Sequence, residues 1–219
     1  MTALLDSAIW YAQHGLHVFP LHTIEVDGGC SCRKSDCKNQ GKHPLTPHGL
    51  LDATRDEDTI RRWWTRDPEA NIGIRTGAES GIIVVDVDPA KGGIASWTAV
   101  CQDHDLPTTR ECLTGGGGNH LYFRHPGQPI KTGVDVLGPG VDIRGDGGYV
   151  VAPPSNHKSG ERYRWAEETI DVTSAPLPDW LLARLHDRRN GSEPIDVGSV
   201  LAGVPEGQRD DALFRTASK

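Results

Sequence analysis

The stretch Gly81-Ile82-Ile83-Val84-Val85-Asp86-Val87-Asp88-Pro89 constrains this chain more than any other. Its apolar run is short, rich in β-branched side chains and bounded by Gly81 and Pro89, which predicts a buried strand. Side chains alternate along a strand, so Asp86 and Asp88 share a face. Two carboxylates on one face repel each other and raise each other's pKa unless positive charge lies between them. A divalent metal supplies that charge. Two metals ~3.5–4 Å apart would clamp the attacking and leaving oxygens of a phosphoryl transfer. The alternative is a strand end with exposed acids, and spacing alone leaves both readings open.

The chain has 219 residues, enough for one large domain or two small ones. With 23 basic and 30 acidic residues, its formal charge is −7. That argues against a protein that merely coats duplex DNA, which needs Lys and Arg at the phosphates. It leaves a nucleic-acid enzyme open, because metal ions offset acids clustered at a site. No apolar run approaches membrane-spanning length, and the start Met1-Thr2-Ala3-Leu4 lacks the features of a signal peptide. A cytoplasmic location is the default expectation.

Leu4, Leu5, Ala8, Ile9 and Ala12 recur at helical spacing, with Gly15 as the stop. His17–Leu21 reads as a short strand, and Pro20 suggests an edge. Residues 25–50 form a polar insertion. A helix is expected over about 56–66, with Ile60, Trp63 and Trp64 on its buried face. Strands follow at 71–75 and 81–88, then a helix over roughly 92–103. Residues 110–113 and 120–123 read as two strands around a glycine loop. Residues 141–144 and 149–151 read as a further pair, 162–165 as the final strand, and a closing helix starts near Pro178. This mixture of hairpins and helices favours α+β over a doubly wound parallel sheet. Residues 188–194 read as a linker, and 207–215 as the start of a new helix belonging to a longer chain.

Three further constellations carry chemistry. Asp142 and Arg144 share a strand face, so Asp142 is a candidate third carboxylate and Arg144 a candidate phosphate ligand. A surface Asp–Arg pair is the plainer alternative. The run Gly115-Gly116-Gly117-Gly118-Asn119-His120 offers backbone N–H groups without side chains, and His120 could donate to a phosphate oxygen. A flexible hairpin followed by a core histidine would look the same. Cys30-x-Cys32-x4-Cys37-x5-His43 can form a closed tetrahedral zinc site, which assigns it to folding rather than catalysis. His48 is the alternative fourth ligand, and free thiols in a loop are the alternative to zinc. Arg61–Arg66 mixes basic and aromatic residues, but its tryptophans fit a buried helix face better than a stacking surface. Lys42 and Lys91 are weak candidate phosphate contacts.

In order along the chain stand an acid-x-acid strand end, a small-residue loop leading to His, and Asp on a later strand. This order resembles the archaeo-eukaryotic primase superfamily. The finer resemblance is to its bifunctional DNA primase/polymerase family of phage and plasmid replication proteins. It is carried by Ala8–Pro20, Gly41–Pro44 through Asp52–Thr54, Trp63–Gly77, Ile83–Pro89, Thr114–Phe123 and Val141–Pro154. The resemblance implies two packed α/β modules, one like an RNA-recognition-motif sheet, with a cleft between them. It implies Asp86, Asp88 and Asp142 as ligands of two Mg2+ or Mn2+ ions and His120 as a contact to the incoming nucleotide. Gly116, Gly117, Gly118, Asn119, Arg144 and Lys42 are then nucleotide-binding candidates. The expected domain spans residues 1–190, with a zinc-binding insertion at about 28–45, followed by a linker and the start of a helical region at 191–219. The expected activity is template-directed transfer of NTP or dNTP to a 3′-hydroxyl on single-stranded DNA, with a helicase region elsewhere in the full-length chain and a bacterial cytoplasm as the setting. A non-catalytic zinc-containing DNA-binding module and a metal-dependent nuclease are the rival readings.

Overall fold

The computed structural model describes residues 2–187. Its elements run α1 (Ala3–Gln13), β1 (Val18–Leu21), α2 (Glu57–Arg66), β2 (Asn71–Arg75), β3 (Ile82–Val87), α3 (Gly93–Cys101), β4 (Arg110–Leu113), β5 (Asn119–Arg124), β6 (Val141–Arg144), β7 (Tyr149–Ala152), β8 (Arg164–Trp165), β9 (Ala175–Pro176) and α4 (Asp179–Asp187). The linker and new helix expected beyond residue 187 lie outside the described residues. Both early helices start at a side-chain cap. Thr2 accepts the Leu5 N–H at 3.3 Å, and Asp56 accepts the Thr59 N–H at 2.9 Å. Ile60 and Trp64 of α2 are buried as expected, while Trp63 is only half-buried at the edge of the core.

The strands form two sheets. The first is antiparallel in the order β1-β2-β7. Pro20 does sit on its outer strand, where the missing N–H costs nothing within the sheet. The Pro20 carbonyl instead accepts the Leu45 N–H at 3.0 Å, so the chain after the polar insertion covers this edge. The second sheet has six strands: β6-β3-β5-β4-β8 in order, with β9 added parallel to β5.

β3 is central to the second sheet and buried on both faces. Ile83, Val85 and Val87 pack with Trp97 and Val100 of α3 and with Leu181 and Leu185 of α4. Ile82 and Val84 join a second core shared with α1, α2 and the first sheet. Double-sided burial explains why the run is continuously apolar rather than alternating. Each fully buried aliphatic side chain there contributes roughly 1.5–3 kcal/mol. The whole is a mixed α+β arrangement.

Two expectations are corrected. Residues 141–144 and 149–151 do not pair with each other: β6 joins β3 in the six-stranded sheet, and β7 joins β2 in the three-stranded sheet. The glycine-rich turn between them is a crossing from one sheet to the other, not a hairpin. It is held there by Thr76, whose hydroxyl donates to the Gly145 carbonyl at 2.7 Å and whose N–H donates to the Gly148 carbonyl at 2.9 Å. The strand at 162–165 shortens to Arg164–Trp165 and is not the last, because β9 follows it.

Candidate active site

Register builds the site. Asp86 on β3 stands directly opposite His120 on β5 and directly opposite Asp142 on β6. Opposed residues of antiparallel strands project to one face with Cβ atoms ~4.5–5.5 Å apart. His120, Asp86 and Asp142 therefore form a row across three strands, on the face turned toward the first sheet. Arg144, two residues along β6 from Asp142, shares that face. Its Nη2 donates to Asp86 Oδ2 at 3.0 Å and to Asp142 Oδ2 at 2.7 Å. Two carboxylate oxygens that converge on one guanidinium nitrogen offer the same convergence to a metal cation, and on this point the residues fit a divalent ion. The other oxygen of Asp142 accepts the Asp135 N–H at 2.8 Å, which fixes its carboxylate.

Burial works to raise the Asp86 pKa, but His120, Arg144 and Lys42 outweigh it and hold the carboxyl below its ordinary value. Burial lowers the His120 pKa, with Asp86 opposing and Arg144 and Lys42 adding to the fall. Its Nε2 lies 3.6 Å from Asp86 Oδ1, too far for a hydrogen bond. Its Nδ1 is buried without a partner. Such an orphaned ring nitrogen beside an acid pair has capacity for a ligand.

Asp88 stands one residue beyond β3 in extended backbone. Its Oδ1 accepts the Ala90 N–H at 3.0 Å, and its Oδ2 lies 3.4 Å from Lys91 Nζ. The Asp86–Asp142 convergence through Arg144 does not include it.

A cavity of about 340 Å³ opens beside the row; Asp86 and His120 line it, whereas Asp142 and Asp88 do not. Asp86, His120 and Arg144 line it from the six-stranded sheet, Tyr149 from the three-stranded sheet, and Lys42 from the polar insertion. Asn39, Thr132 and Tyr163 are among the wall positions that sequence reasoning missed, with Gly147, Gly148, Val150 and Val151. Tyr163 flanks a two-residue strand too short to show alternation, and Asn39 and Thr132 lie in irregular segments with no periodic signal. Crowding at the wall lowers the Lys42 pKa, while Asp86 and Asp88 pull it back up.

The glycine loop is a tight hairpin. The Gly117 N–H donates to the Thr114 carbonyl at 3.0 Å and the Gly118 N–H to Thr114 Oγ1 at 2.9 Å. Two of its N–H groups are thus spent within the turn. Asn119 donates through its side-chain amide to Glu111. Gly116, Gly117, Gly118 and Asn119 are absent from the cavity wall, but the loop packs against the strand end: a Cβ on Gly118 would come 2.4 Å from the Val87 carbonyl oxygen. A Cβ on Gly115 would come 2.3 Å from His157 Cβ, a neighbour not anticipated from sequence.

The polar insertion gathers a second constellation. One ligand atom each from Cys30, Cys32, Cys37 and His43 lies within 4.8 Å of the others, the only such group of three or more His, Cys, Asp or Glu found among the described residues. His43 Nε2 is 3.4 Å from Cys30 Sγ and 3.5 Å from Cys37 Sγ. Zinc bonds of about 2.3 Å to sulfur and about 2.05 Å to nitrogen at tetrahedral angles place those donors about 3.5 Å apart. The cluster is compatible with zinc. His43 is the histidine brought to it, whereas His48 pairs with Asp52 at 2.9 Å. Burial and the two neighbouring thiols push the Cys37 thiol up to about 11, a cost that a bound metal cation removes.

No curated protein matches the chain. The family model described as bifunctional DNA primase/polymerase, N-terminal, matches residues 8–180, a span that contains the acid row, the glycine loop and the cysteine–histidine cluster. The chain belongs to the bifunctional DNA primase/polymerase family.

Proposed function

We propose that this domain is a template-directed primase and DNA polymerase that transfers a nucleotide from NTP or dNTP to a 3′-hydroxyl on single-stranded DNA. The observation that carries the reading is the His120–Asp86–Asp142 row, with the two acids converging on one nitrogen of Arg144, which lines a cavity together with Asp86 and His120. In this reading Asp86 and Asp142 would hold one divalent metal ion, and Asp88 would help to hold a second. Mg2+ or Mn2+ held by these residues would supply the positive charge that acidifies the 3′-hydroxyl and offsets charge on the phosphates. The 3′-oxygen forms a bond to the α-phosphorus, and the bond to the bridging oxygen breaks to release pyrophosphate.

The chain's own residues place the substrate. His120 donates a hydrogen bond to a phosphate oxygen, and Arg144 turns from the acids to the triphosphate. Lys42 adds charge from the cavity wall. The glycine loop backs the strand end that carries Asp88. The strand order β6-β3-β5-β4, with α3 crossing between β3 and β4, supports a sheet of the RNA-recognition-motif kind. The cavity between the two sheets supports a cleft. Residues 1–190 are the proposed catalytic unit of a replication protein that also carries a helicase region and works in a bacterial cytoplasm. No helix among the described residues is long and apolar enough to cross a membrane.

Labelled primer–template tests this directly. Wild type is expected to lengthen the primer with Mn2+ and dNTP, and Asp86→Ala to lose at least about a hundredfold while remaining folded. Shortening of the labelled DNA would favour a nuclease, and no change at all would favour a non-catalytic DNA-binding module.

A further inference from the structure

The cysteine–histidine cluster and the cavity share a stretch of backbone. Lys42 immediately precedes the ligand His43, and Asn39 follows Cys37 by two residues; both line the cavity beside Asp86, His120 and Arg144. The Gly41 N–H points at Cys30 Sγ, 3.5 Å away. The Gly41 carbonyl accepts from Asn71 Nδ2 at 2.9 Å, and the Lys42 carbonyl accepts the Tyr149 hydroxyl at 2.9 Å. Tyr149 is itself in the cavity wall. Residues 31–42 contain no helix or strand, and Arg33 to Asp36, Lys38 and Asn39 are exposed. The loop leading into Gly41 and Lys42, residues 33–39, therefore has little packing of its own.

We propose that the metal site of Cys30, Cys32, Cys37 and His43 acts as an affinity device for the cavity: it fixes Lys42 where a triphosphate docks. The inference rests on the reading of the cavity as a nucleotide site. A metal bound by four ligands closes the loop from Cys30 to His43 and removes its conformational freedom before the nucleotide arrives. Without the metal, that ordering is charged against nucleotide binding, because Lys42 must be immobilised at the phosphates. The metal site is structural in coordination yet coupled to substrate through one peptide bond.

Coupling between two sites is reciprocal, so the nucleotide must tighten zinc by the factor by which zinc tightens the nucleotide. Zinc transfer to a chromophoric chelator that ignores Mg2+ reads this on the intact protein. In wild type, saturating Mg2+–dATP is expected to tighten zinc by about tenfold, within the usual span of site–site coupling. In Lys42→Ala, at dATP concentrations that saturate the variant, the protection should fall to less than about twofold, and Lys42→Arg should restore most of it. Lys42 is a surface lysine, so Lys42→Ala keeps its zinc and its unfolding midpoint. Equal zinc affinity with and without bound dATP in wild type would overturn the inference, as would undiminished protection in Lys42→Ala. If a fluorescent triphosphate fails to bind zinc-loaded wild type at all, the nucleotide reading of the cavity fails and this inference falls with it.

Discussion

At the scale of single residues, Arg144 decides the character of the site. One nitrogen of its guanidinium serves both Asp86 and Asp142, and all three side chains are about a quarter exposed or less. Removing it leaves two adjacent carboxylates with no cation between them. Arg144→Ala is expected to lose about 1.5–3 kcal/mol, the usual worth of a hydrogen bond to a charged group. Millimolar Mn2+ should return part of that loss by occupying the vacated position, as thermal unfolding with and without the metal would reveal. A loss that Mn2+ does not reduce would mean that the acids do not converge on a metal. The acids themselves were legible in the sequence, because alternation in a β-branched run places Asp86 on one face. The grip of Arg144 on both acids was not, because it depends on which strand lies beside β3.

At the scale of elements, the glycine hairpin between β4 and β5 separates two uses of glycine. Gly117 has φ +82° and open space around its Cβ position, so Gly117→Ala should cost about 1 kcal/mol through backbone strain alone. Gly115 has no such backbone demand, but its Cβ would strike His157. Gly115→Ala should therefore cost more, about 1–3 kcal/mol, by forcing the loop off the segment after β7. Urea unfolding midpoints of the two variants distinguish strain from overlap. Helices and most strands were readable from periodicity and caps. Sequence nearness and a glycine turn suggest a β6–β7 hairpin, and it does not form. In the structure, Asp142 is matched to Asp86 and Val150 to Ile74, so long-range register overrides local proximity.

At the scale of the whole molecule, the crossing between sheets is tied by Asp146. Its carboxylate accepts the Ala78 N–H at 3.0 Å and the Ile130 N–H at 2.8 Å, and it lies 3.3 Å from His125. Burial pushes its pKa up, but the two N–H bonds and His125 more than offset this and leave it below the ordinary 3.8. A depressed carboxyl stabilises the fold above its unfolded pKa, and that contribution is lost as pH falls through the folded value. Asp146→Asn should thus be less stable than wild type near neutrality, by about 1–3 kcal/mol, and the gap should narrow below about pH 3.8. Urea titrations on both sides of that pH check it. The cavity belongs to this scale too. Three separated stretches, residues 39–42, 86–144 and 147–163, contribute to it, and no local pattern could have placed Lys42 beside Asp86. The most direct test of the central claim is the anomalous scattering of crystals grown with Mn2+ and a non-hydrolysable dNTP. The account predicts manganese within bonding reach of both Asp86 and Asp142, with Arg144 turned onto the triphosphate. Triphosphate bound elsewhere, with Arg144 still bridging the two acids and no manganese between them, would contradict it.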